Sequence, residues 1–208
     1  MDAYAAIAAR KTIRDFAPRE IAPGTLTRII TAGMQAPSNN HMREWHFVVL
    51  QDKSRRKELL DQAIHPTGTK GAIGIINRWG LTDEIQRNCY IDAIPKQYNM
   101  LYTAGALIYP CYLQPGNLLK PKNLSALNNF ASIWCCIENM LIAAASEGIF
   151  GVTRIPMGDE INLIHEFLNI PAEYVFPCQL ALGYPAEDAQ RVPQVDVRVE
   201  ERIHVDCW

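Results

Sequence analysis

Apolar residues recur along this chain with a helical period in some segments and as short continuous runs in others, which predicts an α+β protein. Helices are predicted over residues 2–10, 23–35, 54–64, 83–100, 129–147 and 159–168. Strands are predicted over residues 46–50, 106–109, 150–155 and 179–183. Segment 129–147 is apolar nearly all round, which is typical of a buried helix. We therefore expect a single domain over residues 1–208, built around that helix.

Four parts of the pattern carry more specific expectations. The polar face of helix 54–64 is expected to meet solvent, and it consists of four consecutive charged side chains: Arg55, Arg56, Lys57 and Glu58. Pro95 is expected to interrupt the helix that contains it. Pro110 indicates an edge strand or a bulge if the strand beginning at residue 106 continues past it. The Gly-rich residues 66–80 predict neither helix nor strand.

The tail from residue 186 has the apolar spacing of an extended arm. Its apolar side chains are Val195, Val197, Val199, Ile203 and Val205, and they are followed by Trp208. A tryptophan is rarely left in water, so the arm is expected to dock. Docking on the same subunit and exchange with a second subunit both fit the pattern.

Composition excludes several classes of function. The formal net charge is −2, so the chain has no global bias toward nucleic acid or acidic membranes. No apolar run approaches the roughly 20 residues needed to span a bilayer, and the first residues lack a signal-peptide pattern. We expect a soluble, cytoplasmic protein. The six cysteines contain no CxxC pair, and adjacent Cys135 and Cys136 diverge on a helix, which favours free thiols and predicts no metal site.

A cluster of donors follows the first predicted helix: Arg10, Lys11, Thr12 and Arg14. A guanidinium, an ammonium and a hydroxyl on one short segment can converge on a phosphate. The alternative is that these cations only complement the dipole of the helix that they end.

A polar loop joins the second helix to the first strand, and it contains Pro37, Ser38, Asn39 and His41. Loops at such junctions often contact ligands. The same residue types also favour a well-capped turn without any ligand. Trp45, at the end of the loop, is a core residue on the simplest interpretation.

Taken together, these segments resemble the nitroreductase family. The matching motifs occur in order along the chain: Arg10–Phe16, Ala36-Pro37-Ser38 followed by Trp45, Cys136–Ala144 with Gly148, and Leu182–Pro185. The resemblance implies a central, mainly antiparallel sheet surrounded by helices, with a long buried central helix. It also implies a homodimer that exchanges its C-terminal arms (residues 186–208) and binds FMN at two sites between the subunits.

Site residues carried over by this resemblance fall into two groups. Arg10, Lys11 and Thr12 would hold the FMN phosphate, and Arg14 would lie near the N1/O2 edge of the ring. The second subunit would contribute four residues of the loop: Pro37, Ser38, Asn39 and His41.

Three further regions are implied by the same resemblance. The backbone of the turn that contains Arg154, Ile155 and Pro156 would face N5 and O4 of the flavin. Arg198 in the arm would be a second phosphate ligand. A ring contact from the middle of the chain would come from one of three residues: Lys96, Gln97 or Asn99.

The implied activity is an FMN-dependent oxidoreductase that uses NADH or NADPH to reduce an electron-poor acceptor by a ping-pong mechanism. The acceptor would be a nitroaromatic, a quinone or an activated alkene. No catalytic acid or base is singled out, although His41 and Tyr102 are testable. His41, Glu44 and Pro156 depart from the family pattern. The alternatives are a flavin-binding or redox-sensing protein with little turnover, a dehydrogenase or dehalogenase on the same fold, or a site for another phosphorylated ligand.

Overall fold

A computed structural model describes residues 1–191 and 193–208 of the chain. The helices in this described part are α1 Ala3–Ala9, α2 Pro23–Gly33, α3 Lys53–Ala63, α4 Thr69–Arg78, α5 Glu84–Thr103, α6 Asn128–Ser146 and α7 Glu160–Phe167. The strands are β1 Trp45–Val49, β2 Ala106–Leu113, β3 Phe150–Arg154, β4 Tyr174–Val175 and β5 Gln179–Gly183. The α+β class is therefore confirmed, as are all the helices and strands that the sequence predicted, to within a few residues at their ends.

The strands form one antiparallel sheet in the order β1-β2-β5-β3, and β4 pairs with the far end of β2. Side chains of β2 alternate between two apolar cores. Leu107 and Tyr109 join a core that also contains residues of α3, the end of α5 and α7. Ala106 and Ile108 join the opposite core, with α2 and α6. Because both faces of the sheet are covered, β2 is apolar along nearly its whole length.

Helix α6 is the buried central helix that the sequence predicted. Ile133, Ile137 and Met140 are buried in the core shared with α2. The helix ends where Gly148 adopts a φ of +72°, a conformation that glycine reaches without a steric penalty. Backbone N–H groups of Gly148 and Ile149 donate to carbonyls in the last turn of α6, which satisfies the helix end.

The chain divides into two compact units. The larger comprises residues 1–66 and 96–191, and contains the sheet. The smaller comprises residues 67–95 and the described residues 193–208, and its apolar cluster is built on Ala72, Ile76 and Ile94. The assignment of a single domain to residues 1–208 stays a prediction.

The prediction that Arg56 faces solvent is wrong. Its side chain is fully buried, and the guanidinium donates to the carbonyl oxygens of Leu50, Tyr102 and Ala104. These carbonyls lie at the end of β1 and just before β2. The buried guanidinium is tolerated because its donors find carbonyl partners, two of which, Tyr102 and Ala104, also accept from Lys53 Nζ.

The interruption expected at Pro95 is wrong, the irregularity expected at Pro110 is present as a local break in strand pairing, and one helix was missed. Pro95 lies inside α5 without ending it. Pro110 occupies the central strand β2, opposite Phe47 of β1. On its other side β2 pairs with β5 only through residue 108 and with β4 only from residue 112, so no ladder bond requires an N–H at Pro110. Helix α4 lies in the Gly-rich segment 66–80 for which no element was predicted.

Within the described residues, no helix combines the length and the apolar character needed to cross a membrane.

Candidate functional site

The basic segment Arg10–Arg14 is held against β3. Arg10 is the C-cap of α1 and its backbone N–H donates to the Ala6 carbonyl. Thr12 then forms a parallel bridge with Gly151, and the Ile13 N–H donates to the Gly151 carbonyl over 3.4 Å. Burial of Ile13 anchors the segment, so its polar neighbours are placed at the edge of the core. The position of the donors is therefore fixed by packing as well as by the end of α1.

A cavity of about 300 Å³ lies beside this segment. Its walls come from the basic segment, from one face of α6 and from β3, and the lining residues are Arg10, Thr12, Trp134, Ile137, Glu138, Leu141, Gly151, Val152 and Thr153. Gly151 has no room for a side chain, because a Cβ there would lie 2.5 Å from Leu182 Cδ2 and 2.9 Å from the Ala181 carbonyl oxygen. The cavity thus combines a cation and a hydroxyl with apolar surface, which suits a ligand with an anionic group and an aromatic body.

Glu138 brings a negative charge into the same cavity. Its Oε1 lies 3.3 Å from Arg10 Nε, and the Arg10 and Glu138 side chains are 29% and 51% exposed. An ion pair this exposed is worth under about 1 kcal/mol, so a bound anion can compete with Glu138 for Arg10. Glu138 was not predicted as a site residue, although a lone acidic residue among the apolar positions of a buried helix was a usable signal.

Lys11 and Arg14 are half-buried on either side of Thr12 but do not line this cavity. The Lys11 ammonium lies 4.7 Å from the centre of the Phe150 ring, a cation–π distance. The next residue after Arg14, Asp15, forms an ion pair with Lys96 over 2.6 Å. Lys96, one of the candidates for a ring contact, is thereby engaged by the chain itself.

The Pro37–His41 segment lies at the first turns of α6. The Asn39 N–H donates to Ser132 Oγ over 3.1 Å, and Asn39 Nδ2 donates to Asn129 Oδ1 over 3.2 Å. Ser38 Oγ accepts from the Arg43 N–H over 3.1 Å. These bonds hold the turn in place, and its contact with a ligand stays a prediction. The space they border is only about 20 Å³, which is too small for a flavin ring.

The residues on either side of Ser38 and Asn39 are exposed. Pro37 and His41 are exposed. Asn40, His41 and Arg43 have φ values of 53°, 56° and 49°, the left-handed region that non-glycine residues rarely adopt. Such strain is a recurrent feature of functional loops, where the surrounding contacts hold it in place.

The two predicted halves of the site do not meet within one chain. The basic segment contacts α6 at Glu138, whereas Asn39 contacts α6 at Ser132. Six residues of helix separate these contacts along the axis by roughly 9 Å. The segments also border different cavities. Within one chain, therefore, the two segments do not form a common cavity, and their joint role stays a prediction.

The turn between β3 and α7, residues 155–159, contains the predicted contacts of Ile155 and Pro156. Ile155 is 55% exposed and Pro156 is buried. The Arg154 side chain, however, points into the protein. It is 7% exposed and donates to Gln97 Oε1, to Gln179 Oε1 and to both carboxylate oxygens of Glu160, at 2.7–2.9 Å. Its guanidinium is accordingly engaged by protein groups.

The partners of Arg154 were not foreseen from the sequence, with the exception of Gln97 as a candidate ring contact. Gln179 is fully buried, and its Nε2 donates to the Tyr109 hydroxyl over 3.2 Å. Burial raises the pKa of Tyr109 to about 12, so this hydroxyl is protonated near neutral pH. Asn99 is exposed, and its carbonyl accepts from Thr103 Oγ1.

Tyr102 does not line the cavity beside the basic segment. Tyr102 lines another cavity, of about 410 Å³, together with Arg19 and Lys53. Arg198 belongs to the smaller unit, is exposed, and pairs with Glu201 over 2.7 Å. The apolar side chains of the arm are exposed in the single chain, and Trp208 is fully exposed.

All six cysteines are free thiols, as the sequence predicted. Cys111, Cys136 and Cys178 are buried, and burial raises the pKa of the Cys111 and Cys136 thiols to about 12. These thiols are therefore protonated and unreactive near neutral pH.

Comparison with known proteins identifies the family of this fold. The family model described as "Nitroreductase family" matches residues 7–184. A Methanothermobacter thermautotrophicus protein, provisionally named NADH dehydrogenase/NAD(P)H nitroreductase, is 28% identical over 218 residues, covering 100% of this chain and 88% of the relative. Iodotyrosine deiodinase of Nematostella vectensis is 25% identical over 206 residues, covering 97% of this chain and 74% of the relative.

A solved structure shares the same fold. The nitroreductase with bound FMN from Bacteroides fragilis aligns with a TM-score of 0.65 at 23% identity, covering 99% of this chain and 100% of that chain. Because the family model spans most of the chain, from α1 to the end of β5, this protein belongs to the nitroreductase family.

Proposed function

We propose that this protein is an FMN-dependent oxidoreductase that takes electrons from NADH or NADPH and passes them to an electron-poor small molecule. The observation that carries the proposal is the cavity beside Arg10 and Thr12, in a chain of the nitroreductase family. The name of the M. thermautotrophicus relative supports a nicotinamide donor, and the B. fragilis nitroreductase supports FMN.

The basic segment would bind the phosphate of FMN. Arg10 supplies a guanidinium and Thr12 a hydroxyl at the cavity wall, with Lys11 between them in sequence. Charge-assisted hydrogen bonds from such groups hold phosphate strongly. Arg14 would place positive charge near the N1/O2 edge of the ring, where reduction concentrates negative charge. Arg198 would add a second phosphate contact.

A second copy of the chain would complete the site. Pro37, Ser38, Asn39 and His41 would contact the FMN bound to the other subunit, because a single chain keeps them away from the cavity of the basic segment. The exposed apolar arm would be covered in the same dimer by exchange between subunits. Both assignments rest on the family resemblance, on the exposure of Pro37 and His41, and on the exposure of the apolar side chains of the arm.

FMN supplies the hydride chemistry when bound, and the protein supplies binding, orientation and charge. The backbone of residues 154–156 would face the reacting edge of the ring. Pro156 has no N–H, so a contact in this turn must come from a neighbour such as Ile155. Donor and acceptor would occupy one face in turn, which gives ping-pong kinetics. No side chain is assigned as a catalytic acid or base.

The first test is the purified protein itself. We expect a yellow protein that retains FMN or is reconstituted by it. In anaerobic stopped flow, NADH or NADPH should bleach the bound flavin and a nitroaromatic should restore its colour. A colourless protein that cannot be reconstituted would contradict FMN binding, and reduction without reoxidation by acceptors would indicate a redox sensor.

A second test separates acceptor classes. The similarity to iodotyrosine deiodinase makes a halogenated phenol the informative competitor. We expect the reduced protein to be reoxidised faster by nitroaromatics or quinones than by 3-iodotyrosine. The opposite order, with release of iodide, would assign the protein to reductive dehalogenation.

A further inference from the structure

The β3–α7 turn (residues 155–159) is held from beneath by a network of four buried or half-buried side chains: Arg154, Gln97, Glu160 and Gln179. The members come from β3, α5, α7 and β5, all in the larger unit. Arg154 is the centre of this network, since every other member accepts a hydrogen bond from it.

Glu160 connects the network to the turn backbone. Its Oε2 accepts from Arg154 Nη1 at 2.7 Å and also from the Met157 N–H at 3.1 Å. Its Oε1 accepts from Arg154 Nη2 at 2.8 Å, which completes a bidentate pair. Because both carboxylate oxygens are held by one planar guanidinium, their direction toward the turn is fixed.

The network is protected from solvent, whereas the turn is not. The Arg154 and Glu160 side chains are 7% and 19% exposed. Ile155 and Met157 of the turn are 55% and 59% exposed. A buried, rigid support beneath an exposed backbone segment is the arrangement that preorganises a binding surface.

We propose that Arg154 is a positioning residue, whose side chain fixes the backbone of the β3–α7 turn through Glu160 and does not itself contact the cofactor. The relevance of the turn to FMN rests on the proposed function. The fixed backbone is that of Arg154–Asp159, including the Met157 N–H. The side-chain charge of Arg154 is neutralised by Glu160, so it adds no free cation to the flavin environment.

The chain offers a matched control pair. Arg28 donates to Glu147 through Nε and Nη2 at 2.8 and 2.7 Å, which is also a bidentate pair but lies on an exposed surface and uses Nε in place of Nη1. Arg154→Lys and Arg28→Lys therefore make the same chemical change in a buried and an exposed pair. Arg154→Met is a more severe variant, and the lysine variant keeps the test usable if the methionine variant does not fold.

The experiment measures hydrogen–deuterium exchange of the peptide that covers residues 155–160, first without flavin. Loss of the fork should speed exchange at this turn by about tenfold in Arg154→Lys and leave it unchanged in Arg28→Lys. Unchanged exchange at the turn would overturn the proposal. So would an increase shared equally by all peptides of β3 and α7, because that is the behaviour of a general stabilising pair.

A second readout uses the protein loaded with FMN. Arg154→Lys should bind FMN within about threefold of the original affinity, because the substituted side chain does not touch the cofactor. The equilibrium constant for electron exchange between its bound FMN and a reference redox dye should nevertheless change by about threefold or more, because the turn backbone is no longer fixed. An undisplaced equilibrium would contradict the role toward the flavin. If the original chain binds no FMN, the proposed function fails and the exchange result alone decides whether Arg154 positions the turn.

Discussion

Two short polar segments lie beside α6: Arg10–Arg14 and Pro37–His41. They differ in how the rest of the chain holds them and in how much of each is exposed. The first is bridged to β3 and forms the wall of a cavity of about 300 Å³. The second is fastened only through Ser38 and Asn39, and it leaves Pro37 and His41 exposed. This difference is the basis of the proposal that the first segment binds the FMN phosphate and that the second contacts the FMN of another subunit.

The largest effect is expected when the cations of the first segment are removed. Replacing Arg10 and Lys11 together by alanine should weaken FMN binding by about 100-fold or more, because each charge-assisted hydrogen bond contributes roughly 1.5–3 kcal/mol. Titration of FMN with fluorescence detection measures the loss. Arg28→Ala, which removes an exposed and paired cation of α2, is the control and should bind FMN normally. Equal affinity in both variants would remove the basic segment from the site.

An intermediate effect is expected from the second segment. His41→Glu should weaken FMN binding by about tenfold, because an added carboxylate would approach the cofactor of the other subunit. The melting temperature should change little, since His41 is exposed. His65→Glu makes the same change at another exposed histidine and should leave FMN affinity intact. A fall in affinity for both variants would point to a general charge effect.

The smallest effect concerns Glu138, which competes for Arg10 in the absence of a ligand. Glu138→Gln should strengthen FMN binding by about two- to threefold, since an exposed pair is worth under about 1 kcal/mol. The gain should shrink as salt is raised, because salt screens the original repulsion. Glu147→Gln, at the C-terminal end of α6, serves as the matched control. Weaker binding in Glu138→Gln would mean that the carboxylate itself helps to hold the cofactor.

The sequence predicted those parts of the fold that depend on local patterns, and it failed where distant contacts decide. Helix α6 was predicted because its apolar positions follow a local period. Helix α4 was missed because Gly71 and Gly74 disfavour a helix, and burial of Ala72 and Ile76 in the smaller unit outweighs that preference.

Arg56 was misplaced for a related reason. Its three carbonyl partners include two that lie 46 and 48 residues away, which no local pattern reveals. The irregularity at Pro110 was predictable, because a proline in a strand requires a place where no ladder bond needs its N–H, and the gap between β5 and β4 along β2 is such a place.

The candidate site shows the same limit. The basic segment and the Pro37–His41 segment were recognisable as short motifs, and the structure gives each a defined environment. The competition from Glu138 and the network beneath the β3–α7 turn depend on side chains brought together from distant parts of the chain. Their contribution to FMN binding stays a prediction.

The central claim is that each flavin site is built from two chains. The most direct measurement uses a heterodimer purified with two different tags, one chain carrying Arg10→Ala and Lys11→Ala and the other carrying His41→Glu. One site of this dimer would then carry both defects and the other neither, so about one site per dimer should bind FMN with the affinity of the unmodified protein. A heterodimer in which no site regains that affinity would contradict the shared site.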